Sequence, residues 1–119
     1  MNQGQPNREF CEIHTYCATM ADFLPDREQE AVEHLVKARC VSPLQSRSRM
    51  IVTWMLGLFW LRDPNRRCDA VRVMEESITC ARRLEAAADR ENDSALRQWY
   101  QWHVEAMQQV LKEHVQSIL

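Results

Sequence analysis

Glycine is nearly absent from this chain: Gly4 and Gly57 are the only two among 119 residues. A phosphate cradle made of backbone amides draws on several glycines, and no P-loop or dinucleotide-binding motif occurs. Proline is scarce too, at Pro6, Pro25, Pro43 and Pro64. So few turn formers argue against a many-stranded β fold and for long helices with tight joints. A bilayer-spanning helix needs roughly 20 apolar residues, and no run here is that long. The opening MNQGQPNREF is polar and lacks the apolar core of a signal peptide. There are five cysteines, Cys11, Cys17, Cys40, Cys68 and Cys80. An odd count without a secretion signal predicts reduced thiols in the cytosol.

What the chain does hold is the block Met50 to Leu61, MIVTWMLGLFWL, in which only Thr53 and Gly57 are not large and apolar. A helix apolar on all sides is surrounded by protein. Trp54, Leu58, Phe59 and Trp60 are therefore expected in a core or in a dimer interface. Gly57 costs about 1 kcal/mol relative to alanine in a helix, and its expected use is the close approach of another helix.

The net charge of −2 hides a segregation. Residues 1–38 hold seven acids and three bases, residues 39–83 nine arginines and four acids, and residues 84–119 six acids and three bases. The basic middle pairs with acidic helices inside one bundle, or it offers a face to an acidic partner.

Periodicity predicts an all-α bundle of about five helices. Residues 1–7 read as a disordered lead and 8–119 as a single helical domain. Phe10, Ile13, Cys17, Met20 and Leu24 make an amphipathic stripe over 8–23. A helix over 27–39 follows, with Val32, Leu35 and Val36 as its apolar face. Ser42-Pro43 reads as cap and first residue of the central apolar helix 43–62. Asp63-Pro64 repeats that signal before a long helical hairpin, 64–118. Its first arm has Cys68, Val71, Met74, Ile78, Ala81, Leu84 and Ala88 on the inner stripe. Asn92-Asp93-Ser94 starts the second arm, where Leu96, Tyr100, His103, Met107, Val110, Leu111, His114 and Ile118 share a face. Trp99, Trp102 and Ala106 extend that face to an arc of about 200°, with Trp102 roughly 120° from its centre. Such width exceeds what one core contact needs, so a second helix or a partner covers Trp102.

Catalytic chemistry finds no footing. Cys11, His14 and Cys17 point in different directions around one helix, and no CxxC, HxxxH or HExxH occurs. Glu30, Glu33 and His34 supply at most part of a carboxylate site. No cysteine has a neighbouring histidine that would activate it. Cys17 and Cys68 read as inert core thiols, and His103 and His114 as satisfied interior histidines. GxSxG and Walker motifs are absent. The expectation is a protein that is not an enzyme and uses no metal and no cofactor.

Two binding classes remain. One is a cytosolic regulator or adaptor that docks on another protein, such as an anti-activator, an immunity factor or a secretion chaperone. In it Trp99, Trp102 and Ala106 form the apolar anchor and Arg62, Arg66 and Arg67 the charged rim. The other is a nucleic-acid-binding regulator that uses the basic segment 39–83. The sequence pI of about 6.1 weighs against the second. A homodimer is expected from the apolar block and the over-wide last helix. In size, helix content and lack of a catalytic motif, the chain resembles the small all-helical bacterial anti-activators of quorum-sensing transcription factors. That likeness is one of general character over the whole chain and transfers no functional residue. It implies a steric mechanism, in which an apolar helix occupies the dimerisation or DNA-binding surface of a transcription factor.

Overall fold

A computed structural model describes residues 28–118. The lead 1–7, the helix expected over 8–23, and with it Cys11, His14 and Cys17, lie outside the described residues. Four α-helices follow in order: α1 (Glu28–Val41), α2 (Arg47–Trp60), α3 (Arg67–Arg90) and α4 (Ser94–Ile118). A 3₁₀ turn, Pro64–Arg66, joins α2 to α3. The described residues are all-helical, as the periodicity predicts.

α1 begins with Glu28 and Glu30 and ends with Arg39, charges that suit the helix dipole at both ends. Its core face is Ala31, Leu35 and Ala38, all fully buried. This departs from the expected stripe, since Val32 is half-buried and Val36 exposed. Two alanines let α1 lie close against α2, and the valines are turned aside.

The start of α2 also differs from expectation. Ser42 does not cap it, because its Oγ donates to the Ala38 carbonyl at 2.6 Å and closes α1 instead. The N-cap is Ser46, whose Oγ accepts from the Arg49 N–H at 3.1 Å. The central helix is therefore Arg47–Trp60 rather than 43–62. Gly57 has the use predicted for it. A Cβ there would fall on Met74 Cγ and lie 3.3 Å from the Ala70 carbonyl oxygen, so α2 and α3 cross with nothing between them. Asp63 caps the 3₁₀ turn by accepting from the Asn65 N–H at 2.9 Å.

α3 ends in a Schellman turn. The Asp93 N–H reaches back to the Ala88 carbonyl at 2.9 Å, and Asn92 sits at φ 58, a left-handed position that asparagine tolerates. Asp93 then caps α4 by accepting from the Leu96 N–H at 3.1 Å.

α2 stands between two apolar clusters. On one side Val52, Leu56 and Phe59 pack with Ala31, Leu35 and Ala38 of α1. On the other, Met50 joins Ile78, Cys80 and Ala81 of α3 and Tyr100, Val104 and Met107 of α4, with Trp54 packed against them. Full burial of each large apolar side chain contributes about 1.5–3 kcal/mol. Enclosure of α2 is incomplete, for Ile51 and Leu58 each keep 38% of their surface exposed. α1 and α3 flank it, α4 meets only its first turns through Met50, Trp54 and Arg47, and one strip stays open. Cys68, expected on the inner stripe, is exposed. It lies in the first turn of α3, before the Ala70–Gly57 crossing where packing begins.

Candidate functional site

Tyr100, Val104 and Met107 put the core-facing side of α4 on one stripe. At 100° per residue Trp102 is about 170° from the middle of that stripe. It is 64% exposed, and Trp99, on the flank, is 37% exposed. His103 sits half-buried between them. Its ring centroid lies 3.9 Å from Trp99 and 4.9 Å from Trp102, the second contact edge-on at 83°. Trp99 also meets Tyr100 edge-to-face at 5.1 Å. The i,i+4 spacing of Trp99 and His103 makes the first contact possible.

The first residue of α2 completes this cluster. The Arg47 guanidinium lies 4.8 Å above the Trp99 ring, within cation–π range. Burial pushes the His103 imidazole below its ordinary value, and the Arg47 charge pushes it further the same way. His103 is thus mainly neutral near pH 7 and adds no charge beside the two indoles. His114, expected in the interior, is exposed.

Arg62, Arg66 and Arg67 do not join the tryptophans. They sit at the opposite end of α2, about 20 Å away along its axis. There Arg62 lies 4.8 Å over the Phe59 ring and 3.0 Å from the Glu28 carboxylate. Arg66 lies 4.8 Å over Trp60. Both rim a groove of about 710 Å³ whose floor is Val32, Val36, Phe59 and Trp60. Arg67 is exposed. The structure thus brings Trp99, Trp102 and Ala106 together on α4 and places the arginines on a second surface. Of the residues expected in a core or interface, Phe59 is buried, Trp54 and Trp60 are half-buried, and Leu58 is exposed.

Part of the basic middle is consumed internally. Arg39 holds both oxygens of Glu76 at 2.8 and 2.6 Å, and Arg49 reaches the same carboxylate at 3.3 Å. Arg49 also donates to the Arg39 carbonyl at 2.7 Å, which ties α1, α2 and α3 together. Burial alone would raise the Glu76 carboxyl, but the two arginines outweigh it and leave it below the usual carboxylate value. Arg72 pairs with Asp69 at 2.8 Å. Arg82 and Arg83 are exposed but stand about 22 Å along α3 from Arg67.

Among the described residues, no group of three or more His, Cys, Asp or Glu is arranged to hold a metal ion. His34 and Glu30 face each other on α1 at 3.9 Å. No helix among the described residues is long and apolar enough to cross a membrane. The pairing of Arg47 with Trp99 had no signal in the sequence, since it joins residues on different helices. No protein-family model, no curated protein and no solved structure matches this chain.

Proposed function

We propose that this chain is a small regulatory protein that acts by binding another protein. Trp99, Trp102 and Ala106 on α4 are its apolar anchor, and Arg47 is the cation beside them. The observation that carries this reading is the exposure of two tryptophans three residues apart, Trp102 at 64% on the side of α4 turned from the core and Trp99 at 37% on its flank. Tryptophan and arginine are the residues most enriched where binding energy concentrates. A helix laid along α4 would cover both indoles and leave the fold unchanged.

The narrower reading is an anti-activator that sequesters a quorum-sensing transcription factor in the cytosol. It rests on the resemblance in size and helix content and on a docking face free of catalytic groups. The mechanism is then steric, with α4 occupying the surface the transcription factor needs for dimerisation or DNA.

The test is capture by the tagged chain from a lysate of its source cell at 0.3 M salt, beside its Trp102→Ala variant. A protein held by the parent and lost by a variant of unchanged melting temperature supports docking through α4. Its identity separates a transcription factor from a toxin or a secreted client. Capture that ignores Trp102, or a nucleic acid that washes off with salt, overturns the α4 reading and favours the basic segment 39–83.

A further inference from the structure

The outer face of α4 carries a pattern that one copy of the chain cannot use. Trp99, Trp102, Ala106, Val110 and Glu113 follow one another at steps of three, four, four and three residues. At 100° per residue they stay within about 40° of Ala106. Trp99, Trp102, Ala106 and Glu113 are exposed and Val110 is half-buried. The spacing reads the same from either end, with Ala106 at its centre.

The two ends carry opposite charges. Arg47 lies over Trp99 at one end. Glu113 stands at the other, about 21 Å along the helix, and accepts a 3.0 Å hydrogen bond from Gln109. Neither makes an ion pair among the described residues.

A two-fold interface requires a patch that complements itself, so that residue i meets residue j and j meets i. We propose that this face binds a second copy of the chain, antiparallel, with Ala106 on the two-fold axis. This rests on reading the α4 face as a docking surface, and it names one occupant of that surface. In this register Trp102 is level with the partner's Val110, and Arg47 with the partner's Glu113. Each contact occurs twice. Ala106 meets the partner's Ala106, where small side chains allow axes within about 8 Å. Steps of three and four suit the shallow left-handed crossing of paired helices. A parallel copy would instead set Arg47 against Arg47 and Glu113 against Glu113, which charge disfavours. Ile51 and Leu58 share the Arg47 face of α2, so the apolar surface continues from α4 onto α2.

Sedimentation at tens of micromolar tests this, with an expected mass of about 28 kDa, twice the 14.1 kDa of the chain. Arg47→Glu and Glu113→Arg each place like charges across the interface and weaken the dimer roughly tenfold. The double variant restores the attraction and the dimer with it. All three keep the helical circular-dichroism signal, since both side chains are exposed. A parent that stays at 14.1 kDa, or a double variant no tighter than either single one, overturns the self-pairing. A monomeric parent that still captures a protein through Trp102 would overturn the dimer alone and leave the docking reading standing.

Discussion

The Ser77 hydroxyl of α3 donates a 2.7 Å hydrogen bond to the Met50 carbonyl of α2, and the Met107 sulfur of α4 lies 3.7 Å from the Ser77 Oγ. One fully buried atom thus touches all three helices of the larger cluster. Ser77→Ala is expected to cost about 1 kcal/mol, the ordinary net value of a hydrogen bond. Ser77→Leu overpacks the site and costs about 1–3 kcal/mol. Urea unfolding of both variants checks the order, which an equal loss would contradict.

Gly57 gives the second prediction. Alanine is a better helix former by about 1 kcal/mol, but its methyl would fall on Met74, which is fully buried. Gly57→Ala is therefore destabilising by about 1–3 kcal/mol in spite of propensity. Met74→Ala opens the space, so in the double variant the alanine at 57 does less harm or becomes favourable. Additive losses in a thermal double-mutant cycle would show that the crossing is not sterically set.

Two groups make the fold sensitive to acid in separate windows. The Glu76 carboxyl is held below its ordinary 4.5 by Arg39 and Arg49 against the cost of burial. Its contribution is complete above the unfolded value and is lost as pH falls through the folded one. The carboxylate is 40% exposed, so solvent screening keeps Glu76→Gln to about 1 kcal/mol near neutrality. The variant and the parent converge in strong acid. His103 lies below its ordinary 6.5, through burial and then Arg47. The unfolded chain takes up that proton first, so stability falls as pH drops through the region below 6.5. Melting curves against pH should show this shallow decline in the parent and lose it in His103→Gln.

The described cysteines should divide by reactivity. Cys40 and Cys68 are exposed. Cys80 is buried, its thiol is pushed up by burial, and it faces the Leu44 and Ser46 carbonyls at 3.7 Å. Native labelling with a thiol reagent, mapped by mass spectrometry, should modify Cys40 and Cys68 well before Cys80. Equal rates at Cys80 and Cys40 would mean that the α2–α3 contact opens readily.

Helical content, the joints at Asp63 and Asn92–Ser94 and the close approach at Gly57 were legible in the sequence, whereas for Trp102 the rotation left a covering helix and an exposed position both open. Each rests on local chemistry: caps, turn formers, or the 100° rotation per residue. The departures come from relations between helices. Ser42 followed by proline reads as the cap, but its hydroxyl closes α1 on the Ala38 carbonyl, and Ser46, not expected from the sequence, caps α2. Periodicity extends the α3 stripe to Cys68, although the covering helix does not reach that turn. Alanines in α1 read as neutral, yet their small size selects the face that packs. For the candidate site, the tryptophans and arginines were identifiable as residue types, but no local signal told that α2 separates them or that Arg47 replaces them as the neighbouring cation.

The consecutive pairing of the helices bears on how the molecule comes apart. α2 packs on α1, α3 on α2 and α4 on α3, each across a short joint. Among the described residues the helix contacts are therefore between sequence neighbours, the kind of contact that favours fast folding. α1 packs chiefly on α2 and reaches α3 through the Arg39–Glu76 pair. It can therefore leave as one unit while the other three helices keep their shared core. Amide hydrogens of α1 should then exchange through a partial opening, and those around Ser77 only when the whole domain unfolds.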